Sequence, residues 1–397
     1  MIVSSSSSRG VLAAVAAFAA SWLLPLAAAQ AQVPQLQMKV GVIASATGPT
    51  AAVGIPQKNS AALLPRKIGN IEIAYIVLDD ASDSTTTVTL VKRLLTEDKV
   101  DAIIGPSGSP NAMGTLQFVS EAKTPMLAPV GTPAVVLPMD EQKRWVFKTT
   151  QNDSLICEAL VGHMVKKGVK TAGFIGLGDA YGESWWRTFS AMAEKANIKI
   201  VASERFQRSD QSVIGQVAKL IAANPEVILV GAAGGPTALP QTTLFERGYK
   251  GQIYQTHGAA TPDFVRLSGK AAEGTIMAAS LMLVLDQIPD VNPSKRLAVE
   301  YISAYEKVYN TKPATFGANV FDAGLLLQHA VPEAAKKAKP GTPEFRSALR
   351  DALEATRELV GTQGVYNMTP ADHSGFDRRG RELMTLKDGK WQLLGEQ

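Results

Sequence analysis

The sequence is poor in cysteine, and this scarcity excludes several kinds of site. Cys157 is the single cysteine among 397 residues. One thiol cannot form an intramolecular disulfide, and it cannot supply a metal site built from several thiolates. The four histidines, His163, His257, His329 and His373, show no pair at a metal-ligand spacing. We therefore predict no disulfide and no metal site.

An excess of one charge is also missing. The chain has 40 Lys and Arg residues and 36 Asp and Glu residues, which give a formal net charge of +4. The basic residues are spread along the chain, whereas a nucleic-acid-binding surface needs them clustered. We predict no nucleic-acid partner. The charged fraction of 19% and the apolar fraction of 46% are typical of a globular protein, and the length allows two or three domains.

A long apolar run occurs once, near the N-terminus. Arg9 precedes the apolar residues 11–26, and Ala29-Gln30-Ala31 follows them. A positive charge, an apolar core and a small-x-small site form a secretory signal peptide in this order. We predict that residues 1–31 are a cleaved signal peptide and that the mature protein is soluble and outside the cytoplasm. An uncleaved membrane anchor is the alternative, and no cysteine lies near the cleavage site, so we expect no lipoprotein anchor.

Short β-branched segments alternate with helix-period segments after residue 37. The candidate strands are residues 39–44, 71–78, 100–104, 171–176, 198–204 and 227–230. Helical segments such as residues 86–97 lie between them, with apolar side chains on one face. Alternation of this kind indicates parallel sheets joined by right-handed crossovers. We predict an α/β fold.

An internal repeat divides this region into two similar units. In the first unit, Asp83 is followed by a candidate helix and then by a candidate strand that ends at Gly105. In the second unit, Asp210 is followed by a helix and a strand that ends at Gly231. We expect Asp83 and Asp210 to lie at the N-caps of their helices. Each strand then ends in a loop of small residues. Two α/β lobes built on one plan are the simplest account.

The last third of the chain does not begin a third lobe. It contains a candidate strand, three candidate helices and a hairpin with Asp388-Gly389 at its turn. The segments are residues 274–280, 295–309, 322–337, 343–356 and 381–394. These elements must complete the two lobes, so we expect the chain to cross between the lobes more than once.

Loops rich in Gly, Ser, Thr and Ala follow the candidate strands. They are residues 45–50, 106–111, 128–132, 177–182, 232–236 and 256–261. Ligands of open α/β sheets bind beyond the carboxyl ends of the strands. Small residues let a ligand approach the backbone, whose N–H groups can hold a carboxylate together with nearby hydroxyl groups. We predict a ligand site among these loops.

Two segments are similar to enzyme motifs. Gly105-Pro-Ser-Gly-Ser follows a strand as a nucleophile elbow does, but Ser109 stands at its fifth position and no His/Asp pair matches it. Residues 176–182 show a Gly-x-Gly-x-x-x-Gly pattern, a loose variant of a dinucleotide-binding loop, with Glu204 near the end of the next strand. We predict no enzyme activity and no cofactor. A secreted NAD-dependent dehydrogenase is an alternative.

An ordered series of segments resembles periplasmic solute-binding proteins of the Leu/Ile/Val-binding type, which serve ABC importers. The segments are residues 46–54, 78–83, 98–106, 179–185 and 256–264. The resemblance implies a type I periplasmic binding fold, with two doubly wound lobes, parallel central sheets, three hinge crossovers and a ligand cleft between the lobes. It also implies a monomer in the periplasm that delivers its ligand to a membrane permease.

The resemblance also implies how the chain divides between the lobes. Residues 37–150 and 283–364 form lobe 1, and residues 151–282 and 365–397 form lobe 2. The implied crossovers are near residues 149–151, 279–283 and 364–367. A ligand sensor of the same fold, which signals to a receptor, is the alternative function.

Five residues match or lie beside ligand-binding positions of this family. Ser109 and Thr132 match residues that hold the ligand carboxylate by hydroxyl and backbone N–H groups, and Val130 matches a neighbour that offers its backbone. Tyr181 matches a tyrosine of the second lobe that closes over the ligand. The His257 loop faces the cleft by analogy. The structural alternatives are helix caps for Ser109 and Thr132 and a packed aromatic for Tyr181.

One departure from the family concerns the ligand. Amino-acid binders of this type carry an acidic residue after the strand that corresponds to residues 251–255, and it pairs with the ligand ammonium. Here residues 256–260 are Thr-His-Gly-Ala-Ala, and residues 232–236 lack the tyrosines of those binders. A buried ammonium without a counter-charge is costly. We therefore predict a small carboxylate, an aromatic or other organic acid, whose distal polar group contacts His257.

Overall fold

A six-stranded sheet forms the centre of one lobe in a computed structural model that describes residues 36–395. Its strands are β1 (Gln37–Ala44), β2 (Lys67–Ile68), β3 (Ile71–Asp79), β4 (Ala102–Ile104), β5 (Met126–Ala128) and β6 (Val146–Lys148). They have the order β2-β3-β1-β4-β5-β6. Every pair in this sheet is parallel except β2 with β3. We call this sheet and the helices packed on it the first lobe.

A seven-stranded sheet forms the centre of the second lobe. Its strands are β7 (Thr171–Leu177), β8 (Lys199–Phe206), β9 (Val227–Gly231), β10 (Gln252–Gln255), β11 (Ile276–Ala279), β14 (Glu382–Lys387) and β15 (Lys390–Leu393). They have the order β15-β14-β11-β10-β9-β7-β8, and β14 and β15 are antiparallel to their neighbours. A separate two-stranded ribbon pairs β12 (Leu359–Val360) with β13 (Val365–Tyr366).

Twelve α-helices connect and cover these sheets within residues 36–395. They are α1 (Ala51–Ser60), α2 (Ser84–Thr96), α3 (Ser109–Met113), α4 (Leu116–Glu121), α5 (Asp153–Lys166), α6 (Ala180–Lys195), α7 (Ile214–Ala222), α8 (Ala238–Glu246), α9 (Pro262–Ser268), α10 (Lys295–Tyr309), α11 (Thr315–Ala335) and α12 (Pro343–Glu354). The predicted α/β fold with two lobes and parallel central sheets is confirmed.

The sheet of the first lobe is buried on both faces. Val40 and Val42 of β1 belong to a buried cluster with apolar residues of α11 and α12. Ile43 of the same strand belongs to a second cluster, with apolar residues of α2, α3 and α4. Successive side chains of a strand point to opposite faces, so this strand must be apolar nearly throughout. This explains why residues 40–44, Val-Gly-Val-Ile-Ala, contain no polar side chain.

Local sequence signals predicted several element boundaries. The bounds of α10 agree with the predicted helix 295–309, and β14 and β15 form the predicted hairpin around residues 388–389. Asp83 is the N-cap of α2, where its Oδ1 accepts a hydrogen bond from the backbone N–H of Thr86 at 2.6 Å. These features depend on residues close together in the chain, which is why the pattern of one segment is sufficient to predict them.

The predicted N-cap at Asp210 is wrong. The helix α7 begins at Ile214 with Val213 at its N-cap position, and no side chain caps it. The Oδ2 atom of Asp210 instead accepts a hydrogen bond from the backbone N–H of Gln207 at 2.8 Å. The aspartate thus closes the turn after β8, because the loop of the second lobe is longer than the repeat suggested.

Two segments near the implied crossovers pack in clusters that can be assigned to a sheet. Val284 and Leu285 lie in a buried cluster with Met384 and Trp391 of the second-lobe hairpin. Residues 366–368 contribute two side chains to the cluster beneath the first sheet. The chain rejoins the second sheet only at β14. The lobe boundaries as a whole stay a prediction, because residues 36–395 form one compact unit.

The predicted signal peptide, residues 1–31, lies outside the described residues. Within residues 36–395, none of the helices combines the length and the apolar character that a membrane span requires. The described residues also contain no group of three or more His, Cys, Asp and Glu side chains that could hold a metal ion.

Candidate functional site

A cavity of about 410 Å³, which includes space open to solvent, lies between the carboxyl ends of the two sheets. The first lobe contributes the loops after β4, β5 and β6, with residues 107–109, 129–131 and Thr150 in the wall. The second lobe contributes Tyr181, Arg208, Ala233 and residues 257–258, which follow β7, β8, β9 and β10. Ligands of open parallel sheets bind beyond the carboxyl ends of the strands, so a ligand is expected at this position.

Four of the five predicted site residues lie in the wall of this cavity, namely Ser109, Val130, Tyr181 and His257. Thr132 does not. Its hydroxyl oxygen accepts a hydrogen bond from the backbone N–H of Ala134 at 3.2 Å and caps the short 3-10 helix at residues 133–135. Thr132 therefore has the capping role that the sequence offered as the alternative.

Ser109 provides a hydroxyl group without a partner. The residue is 3% exposed, and its Oγ forms no hydrogen bond within the described structure. Capping does not explain this serine, since α3 has no side-chain cap. A buried hydroxyl group without a hydrogen bond is costly. Because Ser109 lies in the cavity wall, a ligand acceptor such as a carboxylate oxygen would satisfy it.

Ser107, two residues earlier, is fully engaged within the protein. Its hydroxyl group donates to Oε1 of Gln57 at 2.5 Å and accepts from the backbone N–H of Ser45 at 2.9 Å. A nucleophilic serine would instead need a hydrogen bond to a general base. Ser107 stands where a nucleophile elbow has its nucleophile. Its role here is structural, because it links the loop after β4 to the end of β1 and to α1.

Tyr181 is held rigidly at the start of α6. Oδ1 of Asp179 caps this helix and accepts from the backbone N–H groups of residues 181 and 182. The Tyr181 hydroxyl group lies 3.0 Å from Oγ1 of Thr256, which donates to the carbonyl oxygen of Ala232 at 2.9 Å. Since the Thr256 proton is used there, Tyr181 donates to Thr256. Burial, followed by the Asp153 charge, raises the pKa of Tyr181 well above its ordinary value.

A buried Asp153–His257 pair adjoins the cavity, and sequence reasoning missed its aspartate. Oδ1 of Asp153 lies 3.3 Å from Nε2 of His257, and Oδ2 accepts from the hydroxyl group of Ser184 at 2.7 Å. Gly131 lies directly against the pair. A β-carbon at this glycine would be 2.4 Å from Oδ1 of Asp153 and 2.6 Å from Nε2 of His257. An acidic residue in the first turn of a helix is an ordinary N-terminal feature, so no local signal indicated this contact.

Lys148 is a second buried group that the sequence did not reveal. Its Nζ donates to the carbonyl oxygen of Gly131 at 2.5 Å and to Oδ1 of Asn152 at 2.6 Å. Desolvation lowers the pKa of Lys148 to about 7, although the charges of Asp153 and Asp372 oppose the shift. The lysine joins the loop after β5 to the crossover that leads from β6 to α5.

Arg208 gives the cavity wall its positive charge. Its Nε donates to Oδ2 of Asp179 at 2.7 Å, and its Nη1 lies 3.4 Å from the carbonyl oxygen of Ala233. The described wall residues include no Asp or Glu. Arg208 forms an ion pair with Asp179, and its guanidinium group, together with the hydroxyl groups of the wall, suits an anionic ligand. Sequence reasoning used this segment only as part of the repeat and missed the arginine.

The glycines at residues 176–182 have a packing role. A β-carbon at Gly182 would lie 1.9 Å from the carbonyl oxygen of Leu177, so the start of α6 can approach β7 only with glycine there. Glu204, the residue that would bind a ribose in a dinucleotide site, forms an ion pair with Lys219 at 3.2 Å. Close helix–strand packing therefore accounts for the pattern.

A larger groove of about 780 Å³ lies beside α6 and the edge strand β8. Its walls contain Trp186, Glu194 and Lys199, and none of the predicted site residues. This groove does not lie at the carboxyl ends of the strands, so the candidate site remains the cavity between the lobes.

Comparisons with known proteins agree with this geometry. Residues 37–385 match the model of the periplasmic binding protein family. The chain is 23% identical over 359 residues to the Leu/Ile/Val-binding protein homolog 3 of Brucella melitensis, which covers 88% of this chain and 92% of that protein. A solved extracellular ligand-binding receptor from Rhodopseudomonas palustris HaA2 is 40% identical, with a TM-score of 0.88 over 90% of this chain and 100% of that one. The isoleucine complex of LivJ from Streptococcus pneumoniae is 20% identical over 90% of this chain and 98% of that one, with a TM-score of 0.74, which shows a shared fold.

Proposed function

The chain belongs to the periplasmic binding protein family, and on that premise we propose that it is the substrate-binding component of an ABC importer for a small organic carboxylate. The proposed ligand carries no amino group, and an aromatic acid is the leading candidate. The protein acts as a monomer in the periplasm and delivers this ligand to a membrane permease. The observation that carries the proposal is the charge of the cavity wall, which contains Arg208 and no carboxylate.

The ligand carboxylate has two partners in this proposal. The unpartnered hydroxyl group of Ser109 comes from the first lobe, and the guanidinium group of Arg208 comes from the second. A ligand that contacts both groups joins the two lobes. This arrangement suits a protein that closes around its ligand by hinge motion.

An α-amino acid is a poorer fit because its ammonium group would lack a counter-charge. Asp153 is a buried carboxylate beside the cavity, but its Oδ2 accepts from Ser184 and its Oδ1 faces His257. It is also not among the residues that line the cavity. Burying an unpaired ammonium group is costly. The names of the Leu/Ile/Val-binding relatives therefore support the importer role more than they support a branched-chain amino acid as the ligand.

The apolar part of the wall supports a planar ring. Val53, Val130, Tyr181 and Phe316 contribute apolar surface to the cavity. The Tyr181 ring is fixed by its hydroxyl hydrogen bond and by the helix start that carries it. Offset or edge-to-face contacts with such a ring stabilise an aromatic ligand.

Thermal-shift and calorimetric screening tests the proposal. We expect a benzoate-type acid to raise the melting temperature of the mature chain, and leucine, isoleucine and valine to leave it unchanged. A ligand at a hundredfold excess over its Kd stabilises the folded state by about 2.7 kcal/mol. Benzamide is the matched neutral control, and we expect it to bind at least about tenfold more weakly than benzoate, since a charge-assisted hydrogen bond is lost.

Strong stabilisation by leucine or valine, together with none by organic acids, would contradict the proposal. Permease and ATPase genes beside the gene for this chain are expected for an importer component. Their absence, together with a receptor that binds the ligand-loaded form, would favour a sensor instead.

A further inference from the structure

Within the proposed function, we infer that Asp153 and His257 make the site selective for organic acids that carry a hydroxyl group, which donates a hydrogen bond to Nδ1 of His257. The inference rests on the proposed function, because it specifies the distal end of the same carboxylate ligand. His257 is the residue that meets the ligand, and Asp153 is a positioning residue that acts through it.

The first step concerns the tautomer of His257. An ionised carboxylate accepts hydrogen bonds and cannot donate them. Oδ1 of Asp153 lies 3.3 Å from Nε2 of His257 and has no hydrogen-bond partner among the described residues. A ring proton on Nε2 would face this unpartnered carboxylate oxygen, so we place the proton there. A partner at one ring nitrogen sets the role of the other nitrogen, so Nδ1 carries a lone pair and accepts.

The second step concerns the charged groups around the imidazole ring. The Asp153 carboxylate already interacts with the fully buried Lys148 ammonium group, since its charge favours the protonated lysine. Arg208 supplies a further positive charge in the cavity wall. The Tyr181 ring also lies beside the imidazole, and burial raises the pKa of its hydroxyl group. The Asp153 carboxylate is thus shared between the Lys148 ammonium group and the His257 ring.

The third step concerns the missing partner of Nδ1. This atom is buried and has no hydrogen-bond partner within residues 36–395. The Tyr181 and Trp185 rings lie beside the imidazole, with ring centroids 6.3 Å and 5.7 Å away. The Tyr181 proton is already used by Thr256. The buried Nε1–H group of Trp185 is also without a partner and forms no hydrogen bond with Nδ1. Nδ1 is thus unsatisfied within the described residues, although His257 itself lies in the cavity wall.

A hydroxyl group on the ligand satisfies this acceptor. An alcohol or a phenol donates its proton to Nδ1, whereas a methyl ether can only accept and a ring hydrogen does neither. Sites built to bond a hydroxyl group reject analogues that lack it, because the buried polar atom of the protein is then left unpaired. The structure thus favours hydroxylated acids over the corresponding methoxy and unsubstituted acids.

Calorimetry with matched ligands tests the inference. The ligands are benzoate and its 2-, 3- and 4-hydroxy and methoxy derivatives. For the wild-type mature protein, we expect at least one hydroxybenzoate to bind ten times more tightly, or better, than both its methoxy counterpart and benzoate. Because the position of the hydroxyl group on the ring is open, all three isomers are included.

The variant Asp153→Asn tests the role of the tautomer. The Ser184 hydroxyl group would donate to the amide oxygen, so the amide NH₂ group would face Nε2 of His257. The imidazole proton would then move to Nδ1 and turn this atom into a donor. We expect the preference for hydroxy over methoxy ligands to fall from tenfold or more to about onefold or below. Ser109→Ala is the control, since it weakens all these acids together and leaves the preference intact.

A spectroscopic measurement on the wild-type protein tests the tautomer directly, and it does not depend on whether Asp153→Asn folds. Two-dimensional ¹⁵N NMR of the wild-type protein is expected to show His257 protonated at Nε2 and unprotonated at Nδ1. Equal binding of hydroxy and methoxy acids, or a His257 protonated at Nδ1, overturns the inference and leaves the proposed function standing. If no organic acid binds at all, the proposed function itself fails.

Discussion

At the scale of single residues, Ser109 and Thr132 show how the same hydroxyl chemistry serves two purposes. Both residues follow strands of the first sheet and both are buried. The Thr132 hydroxyl oxygen accepts from the backbone N–H of Ala134, whereas the Ser109 hydroxyl group has no partner within the described structure. We therefore expect Ser109 to contribute to ligand binding and Thr132 to contribute to the stability of the fold.

We expect Ser109→Ala to weaken binding of an organic acid by about tenfold to a hundredfold, because a hydrogen bond to a charged group contributes about 1.5–3 kcal/mol. Its free energy of unfolding should not fall, since no protein contact is lost. Thr132→Ala should instead lower the free energy of unfolding by about 1 kcal/mol through loss of a cap and leave affinity nearly unchanged. Calorimetry and urea denaturation of both variants measure the two effects.

The reverse pattern, with Thr132→Ala weak in binding and Ser109→Ala normal, would contradict this assignment. The sequence alone predicts that both substitutions weaken binding without affecting the fold, because both residues lie on loops. The structure changes that expectation for Thr132, whose hydroxyl group organises the start of a 3-10 helix.

At the scale of elements, Lys148 connects the end of β6 to the start of α5. Its ammonium group bonds the carbonyl oxygen of Gly131 and the side chain of Asn152. The backbone N–H of Asp153 also donates to the Gly131 carbonyl oxygen, at 3.1 Å. The loop after β5 and the crossover between lobes are thus fixed to one another beside the Asp153–His257 pair.

This buried lysine predicts a specific pH dependence of stability. Burial lowers its folded pKa to about 7, whereas an unfolded lysine titrates near 10.4. Between about pH 7 and pH 10 the unfolded chain holds more protons at this residue, so its contribution to the free energy of unfolding rises with pH. The slope approaches about 1.4 kcal/mol per pH unit at most.

Comparison of the wild-type protein with Lys148→Met isolates this contribution. We expect the difference in the free energy of unfolding, wild type minus variant, to increase from pH 7 to pH 9.5 in urea denaturation experiments. Well below pH 7 the difference should not change with pH, because Lys148 is then protonated in both the folded and the unfolded protein. A difference that is constant across the whole range would show that the lysine is not buried as described.

At the scale of the whole molecule, α10 joins the two lobes. Ala298 on this helix packs in the cluster of the second-lobe hairpin. Three residues later, the Tyr301 hydroxyl group lies 2.8 Å from Oγ of Ser60 in the first lobe, and the Tyr309 hydroxyl group donates to the carbonyl oxygen of Asn59 at 2.9 Å. Further links exist at the other crossovers, where Gln151 donates to the carbonyl oxygen of Gly380.

These links predict that both lobes unfold in one cooperative transition. Trp145 is buried in the first lobe and Trp185 in the second, so single-tryptophan variants that keep one or the other report each lobe separately. We expect the fluorescence transition of each variant to coincide with its far-UV circular dichroism transition in urea, as two-state unfolding requires. Separate midpoints for fluorescence and circular dichroism in either variant would show that the lobes unfold independently.

Several features of this protein follow from the sequence by itself. The bounds of α10, the C-terminal hairpin and the Asp83 cap depend on contacts between residues within a few positions of one another. The same holds for the α/β alternation, because apolar periodicity records which faces of an element are buried. The loops that line the cavity were also predictable, since parallel strands place their carboxyl ends along one edge.

Only the tertiary structure decided which side chains in those loops meet. Asp153 and His257 belong to different strand–helix units, and nothing in either segment indicates the other. Arg208 enters the cavity wall because Asp179, on another loop, holds its guanidinium group. Ser109 and Thr132 carry similar signals in sequence, and the presence or absence of a neighbouring N–H group separates them. Local patterns specify elements, whereas charge, tautomer and free hydrogen-bonding capacity depend on neighbours that only the folded chain brings together.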